Sequence, residues 1–317
     1  MKIANRMEKL APSLTLSITA LANELKAAGK DILSFSAGEP DFDTPQVVKD
    51  AAIKAINEGK TKYTAVEGIK ETKQAIINKL KKDHNLDYTL DKIVISNGAK
   101  HSLFNLAQAL IDEGDEVIIP SPYWVTYPEL VVYSGGVPVF IETDESTEFK
   151  ITAKQLKEKI TPKTKILMLN SPSNPTGSIY SREELLAIGE VLKGTDIVVL
   201  SDEMYEKLIY KGKKFTATAE VSEDMYNRTV TINGLSKSVA MTGWRFGYVA
   251  CPNSALAKAM SKLQGQVTSN VNSMTQYAAI VALEGEANKD IEMMRVEFEK
   301  RKDYAVKAIN NISKLSC

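Results

Sequence analysis

Seven short apolar runs constrain this chain more than any other feature: Ile93–Ile95, Val117–Ile119, Val137–Ile141, Ile166–Leu169, Ile197–Leu200, Thr229–Ile232 and Phe246–Ala250. A strand that is apolar at nearly every position is covered on both faces, whereas a strand with one wet face alternates. Helical patterns lie between several of the runs. Leu103, Leu106, Ala107, Leu110 and Ile111 fall on one helix face, and Ile69, Ile76 and Leu80 mark another amphipathic helix. Doubly covered strands alternating with helices imply an α/β fold with a mainly parallel, seven-stranded sheet between helices.

The ends of the chain differ from this core. At 317 residues the length suggests about two domains. Residues 1–45 read as an arm, a helix from Leu14 to Ala28 closed by Gly29, and a loop rich in turn formers, Ser36-Ala-Gly-Glu-Pro-Asp-Phe-Asp-Thr-Pro45. Residues 46–285 hold the strands. Residues 286–317 begin with a long charged helix, about Asn288 to Asn310, and end in a segment that reads as entering a strand. A smaller unit built from both termini therefore accompanies the sheet domain.

Charge and composition exclude several functions. Lys+Arg and Asp+Glu both number 40, for a net charge of zero, which argues against nucleic-acid binding through a general basic field. The two cysteines, Cys251 and Cys317, cannot build a disulfide framework or a zinc knuckle. The two histidines, His84 and His101, read as exposed helix residues rather than ligands or bases, so no metal site is expected. No apolar run approaches the ~20 residues that cross a bilayer, and the first residues lack the apolar region of a signal peptide. The expectation is a cytoplasmic protein without nucleic-acid or membrane partners.

In an open α/β sheet, ligands bind beyond the carboxyl ends of the strands. After the first run comes Ser96-Asn97-Gly98-Ala99-Lys100, small residues that open a helix and suit an anion at its N-terminus. Taken alone, this segment reads first as an ordinary strand-to-helix turn. After the fourth run, Asn170-Ser-Pro-Ser-Asn174-Pro-Thr-Gly177 forms a stiff loop that presents an amide. The fifth leads into Ser201-Asp202-Glu203-Met204-Tyr205, where Asp202 is by itself a plain helix cap. The sixth leads to Ser236-Lys237 and on to Gly243-Trp244-Arg245. A lysine, an acid, an amide, a phenol, an arginine and an anion turn at successive strand ends match the needs of pyridoxal phosphate.

These segments, with Tyr63-Thr-Ala-Val-Glu-Gly68 and Ser121-Pro-Tyr-Trp-Val-Thr-Tyr-Pro128, occur in family order, and the chain resembles the class I aminotransferases. These belong to the fold-type I pyridoxal-phosphate enzymes, and the likeness is to their bacterial aspartate aminotransferase branch. The resemblance implies that Lys237 holds the cofactor's aldehyde as a Schiff base and then moves the substrate's Cα proton. Asp202 pairs with the pyridine nitrogen, Asn174 and Tyr205 bond the phenolic oxygen, and Trp124 stacks on the ring. Gly98, Ala99, Lys100 and Arg245 hold the phosphate. Tyr63 reaches the phosphate site of a second subunit, making a homodimer with shared active sites. Gly38, Trp124, Asn174, Lys100 and Ser13 contact substrate, the last two meeting a distal carboxylate.

The implied reaction is ping-pong transfer of an amino group from L-aspartate to 2-oxoglutarate. Aromatic, alanine or kynurenine transamination on the same scaffold is an alternative, as is a non-catalytic pyridoxal-phosphate-binding regulator. Members of the family continue beyond the point matching Cys317 with a segment that completes the smaller domain and carries an arginine for the α-carboxylate. The sequence is therefore expected to be part of a longer protein.

Overall fold

The computed structural model describes residues 2–35 and 38–317. Met1 and the first two residues of the turn-rich loop, Ser36 and Ala37, lie outside the described residues. All seven apolar runs are strands: β1 (Ile93–Asn97), β2 (Glu116–Ser121), β3 (Val137–Glu142), β4 (Thr164–Asn170), β5 (Val198–Asp202), β6 (Thr229–Gly234) and β7 (Phe246–Ala250). They form one sheet in the order β1-β7-β6-β5-β4-β2-β3. Pairs β2–β3, β2–β4, β4–β5 and β5–β6 are parallel, and β7 runs antiparallel to both its neighbours. A parallel crossover needs a dozen or more residues, usually a helix. The short segment 235–245 between β6 and β7 folds into turns instead, and β7 comes back reversed. Since β1 and β6 both oppose β7, every strand except β7 points the same way. Asn97, Ser121, Glu142, Asn170, Asp202 and Gly234 thus end at one edge of the sheet.

The doubly apolar pattern has its expected cause. Along β1, Ile93 and Ile95 enter one core and Val94 the opposite one. Along β4, Ile166 and Met168 face the core of the helices Ala99–Leu110 and Ser254–Val267, while Leu167 and Leu169 face that of Arg182–Leu192. Burying a large aliphatic side chain in this way stabilises by about 1.5–3 kcal/mol. Helix starts are set locally. Thr152 with Gln155 and Ser181 with Glu184 form capping boxes, and Asn253 and Asn272 cap the helices that follow them. Each cap contributes on the order of 1 kcal/mol.

Three features depart from the sequence reading. The long helix spans Asn288–Asn310, but the residues after it form turns and no strand. His84 is not exposed: its ring is tucked between Glu206 and Glu220. His101 sits on the inner side of its helix, where its Nδ1 accepts the N–H of Asn97 at 3.3 Å. Helical periodicity reports which face a residue shares, but not which distant carboxylate will cover that face.

Where β6, β7 and β1 meet, glycine is a packing requirement. A Cβ on Gly247 would stand 2.3 Å from the backbone N of Ala99, and one on Gly234 would stand 2.6 Å from the Phe246 carbonyl oxygen. We predict that Gly247→Ala destabilises the fold by about 1–3 kcal/mol, the usual cost of overpacking. Gly265→Ala, in the exposed part of the helix Ser254–Val267, meets only Val66 at 3.7 Å and should stabilise by about 0.5–1 kcal/mol. Urea unfolding of both variants checks the pair, and equal effects would refute the packing argument.

Candidate active site

The common edge of the strands opens into a cavity of about 580 Å³, within the range of small-molecule sites. Each strand end delivers part of its wall. β5 brings Asp202 and then Tyr205; the loop after β4 brings Asn174; the turn after β6 brings Lys237 and, before β7, Arg245. Ala99 and Lys100 come from the first turn of the helix after β1, and Trp124 from the segment after β2. Gly38, from the N-terminal loop, closes one side.

Asp202 lies at the floor, 5% exposed. It accepts hydrogen bonds from the Tyr127 hydroxyl at 2.9 Å and from the Met204 N–H at 3.2 Å. Burial pushes its carboxyl up to about 6, and these two bonds restrain the rise. None of the ion pairs among the described residues includes Asp202. Burial, followed by the charge of Asp202, pushes the Tyr205 phenol up to about 12, and the neighbouring Asn174 side chain restrains the rise. The Asn174 loop is stapled to β5 through Asn170, whose Nδ2 donates to the Asp202 carbonyl at 2.9 Å while its Oδ1 accepts the Asn174 N–H at 2.6 Å.

Opposite this acidic floor stand the cations. Burial lowers the pKa of the Lys237 amine; Glu39 opposes the shift and Arg245 adds to it. The amine donates to the Gly38 carbonyl. Lys100 is lowered by burial and then by Arg245, and its Nζ lies 4.8 Å from the centre of the Trp124 ring. Arg245 adopts a left-handed backbone with φ 55° and donates to the Thr242 carbonyl at 2.9 Å. Its guanidinium occupies the space beside Gly98: a Cβ there would stand 2.5 Å from Nη2, and φ at Gly98 is +84°. The first N–H groups of a helix have no intrahelical acceptor. The Gly98 N–H is taken by the Ser96 carbonyl at 2.7 Å, so the N–H groups of Ala99 and Lys100, beside the guanidinium, form the anion cradle.

Gly98 and Ser13 do not themselves line this cavity, and Tyr63, expected at a second subunit's phosphate site rather than at this one, is 91% exposed. Ser13 lines an adjoining hollow of about 290 Å³ with Lys100 and Phe104, while Thr15 of the same helix reaches the main cavity. Sequence reasoning missed Tyr127, Thr15, Glu39 and Thr242. A signal for Tyr127 was available, because it follows Trp124 by three residues and shares its face. The two rings pack edge to face at 5.6 Å. Glu39 and Thr242, hydrogen-bonded to each other, are brought together only by the fold.

The floor carboxylate makes a pH prediction. Burial raises the folded-state pKa of Asp202 from 3.8 to about 6, so folding favours its protonated form. That contribution to stability is present below about pH 4 and is lost as pH rises through about 6. Carboxyl ¹³C NMR of the ligand-free protein, assigned with Asp202→Asn, should show a midpoint near 6, and Tyr127→Phe should move it upward. A midpoint near 4 in both proteins would contradict the burial argument.

Comparison with known proteins agrees with this architecture. The family model for aminotransferase class I and II matches residues 30–317. The chain is 52% identical to an aspartate aminotransferase of Geobacillus stearothermophilus over 317 residues, covering 100% of this chain and 80% of the relative. It is 48% identical to the aspartate/prephenate aminotransferase of Nitrosomonas europaea, with the same coverage of 100% and 80%. A solved aspartate aminotransferase from Rhizobium meliloti superposes with a TM-score of 0.96 at 43% identity, over 100% of this chain and 79% of that one. The Thermus thermophilus enzyme with maleate gives 0.94 at 39%, over 98% and 80%. With about half its residues shared from end to end and its backbone matched along its whole length, this chain belongs to the class I and II aminotransferases, enzymes that transfer an amino group between an amino acid and a 2-oxo acid.

Proposed function

We propose that this transaminase uses pyridoxal 5'-phosphate, takes L-aspartate as donor and 2-oxoglutarate as acceptor, and works as a homodimer. The observation that carries the cofactor assignment is Asp202, a buried carboxylate in no ion pair among the described residues, at the floor of a cavity that also holds a lysine amine of lowered pKa. A protonated pyridine nitrogen is the cation such a carboxylate lacks, and the Gly98–Arg245 cradle suits a phosphate. When bound, the cofactor supplies an aldehyde that takes up the substrate amine and a ring that withdraws electrons from Cα.

The chain's own residues then divide the work. Asp202 would keep the proton on the ring nitrogen, helped by the Tyr127 hydrogen bond that favours its charged form. Asn174 and Tyr205 would hold the phenolic oxygen, Trp124 the ring face, and Arg245 with the N–H groups of Ala99 and Lys100 the phosphate. Lys237 Nζ is the base for the Cα proton. A base must be neutral to accept a proton, and burial of Lys237 favours its neutral form. Gly38 would let backbone approach the substrate.

The names of the relatives support aspartate, and Lys100 with Ser13 are the candidates for its distal carboxylate. The name of the Nitrosomonas relative favours a second reading, with prephenate as an additional substrate. Tyr63 supports the dimer, being an exposed aromatic on a loop held in place by Gln276 and Gln264. Residues 1–45 and 286–317 are read as one smaller unit. Arg301 supports this by donating to both oxygens of Asp41 at 2.8 and 2.9 Å, as do Phe42 and Phe298, which pack edge to face. The free cysteines Cys251 and Cys317 suit the reducing cytoplasm.

Borohydride reduction of the loaded protein, followed by peptide mapping, should place the pyridoxyl adduct on Lys237. An adduct elsewhere, or none, sinks the assignment. Lys237→Ala should lower kcat by about 10²–10⁴-fold, the usual weight of a general base. Half-reaction absorbance changes with aspartate, aromatic amino acids and alanine rank the donors, and a preference for alanine would overturn the aspartate reading.

A further inference from the structure

A second polar assembly lies behind the site. Past Asp202 the chain turns so that Asp202 and Tyr205 face the cavity, while Glu206 faces a small cleft of about 50 Å³ on the other side. Leu235 and Ser238, which flank the Lys237 turn, line the same cleft. The Glu206 side chain is 4% exposed. Its Oε1 pairs with Lys79 Nζ at 2.5 Å and its Oε2 bonds His84 Nε2 at 2.9 Å. Both partners come from the helix Lys70–His84. The array continues outward, with His84 Nδ1 3.3 Å from Glu220, Lys79 and Lys207 at 3.3 and 2.7 Å from Asp83, and Arg182 3.6 Å from Glu220. Asp83, His84 and Glu206 converge at metal-ligand spacing, but Lys79 and Lys207 already hold the carboxylate oxygens an ion would need.

We propose that Glu206, clamped by Lys79 and His84, is a positioning residue that fixes the turn carrying Asp202 and Tyr205 in register with the Lys237 loop. Glu206 adjoins Tyr205 in sequence, and the only covalent path from the clamp to the phenol is one peptide unit. Burial works against the charge on Glu206, yet Lys79 and His84 outweigh it and hold the carboxyl well below the usual range. Burial likewise disfavours the His84 cation, and the bonds to Glu206 and Glu220 outweigh it, pushing the ring up to about 9. The next buried acid, Glu203, is turned to the same side. It accepts the Thr218 N–H at 3.0 Å and the Ser201 hydroxyl at 2.9 Å, and burial pushes it up to about 7. Apolar residues of similar volume fill a buried site at least as stably as an ion pair does, so stability alone does not call for this clamp. The His84 bond to Glu206 at 2.9 Å is directional, as an apolar contact is not, and sets the angle of the turn, while Lys79 supplies the countercharge at 2.5 Å.

The inference rests on the cofactor reading above, and its test separates the two. Lys79→Met/Glu206→Leu replaces the charged pair with apolar volume, and Glu206→Gln keeps the shape and removes the charge. Expected for both, after loading with pyridoxal phosphate, is a kcat lowered about tenfold or more with KM changed less than about twofold, the mark of lost transition-state alignment. The pH midpoint of the bound cofactor's visible absorbance should also move by about half a unit or more, since Tyr205 and Asn174 would hold its phenolic oxygen. The double variant should melt no lower than wild type. A double variant with wild-type kcat and midpoint would reduce the clamp to a structural role, as would full recovery of both whenever stability recovers. If the double variant is insoluble, Glu206→Gln decides by the same two readouts. Failure to trap an adduct on wild-type Lys237 would instead remove the cofactor reading itself.

Discussion

Every functional feature of this protein depends on the common direction of six strands. A parallel strand gives up its last backbone groups, and the loop that follows, at the same edge as its neighbours. Polar residues scattered from Lys100 to Arg245 are thereby gathered around one cavity. The one reversed strand, β7, serves the same end. The segment between β6 and β7 is too short to cross the sheet, so Lys237 and Arg245 stay at the edge where they are needed.

The two sides of the turn after β5 treat buried carboxylates in opposite ways. On the cavity side, Asp202 is given hydrogen bonds but no cation, so burial raises its pKa and leaves it ready for a charged ligand atom. On the far side, Glu206 is given two cations and held ionised. The same residue chemistry at nearly the same depth yields a recognition group in one case and a fixed strut in the other. The difference comes from which helix lies behind it.

Much of this is legible in the amino-acid sequence. The seven runs, the helix from Asn288 and the loop at 170–177 are local patterns, and local patterns survive folding because they reflect chain geometry and water exclusion. Lys237, Asp202, Tyr205, Asn174, Arg245 and the Gly98 turn all meet at the strand ends, and Trp124, implied by the family resemblance, joins them there. What was missed has one cause. Glu39 meets Thr242 across some two hundred residues of chain, His84 meets Glu206 across more than a hundred, and Thr15 reaches the cavity from the N-terminal helix. No window of sequence reports such distances or such rotations.

The sequence by itself determined the fold class, the edge at which chemistry occurs and most of the residue types that reach it. It does so because burial on both strand faces leaves only one kind of sheet, and such a sheet has only one binding edge. Only the tertiary structure decided the charge state of what stands there. Asp202 and Lys237 at the edge, and His84 and Glu206 behind it, carry ordinary side chains whose pKa values depend on depth and on partners drawn from other segments. Many of those partners are within a few ångströms in space and far apart along the chain, and electrostatic energy follows spatial distance and burial, not chain separation.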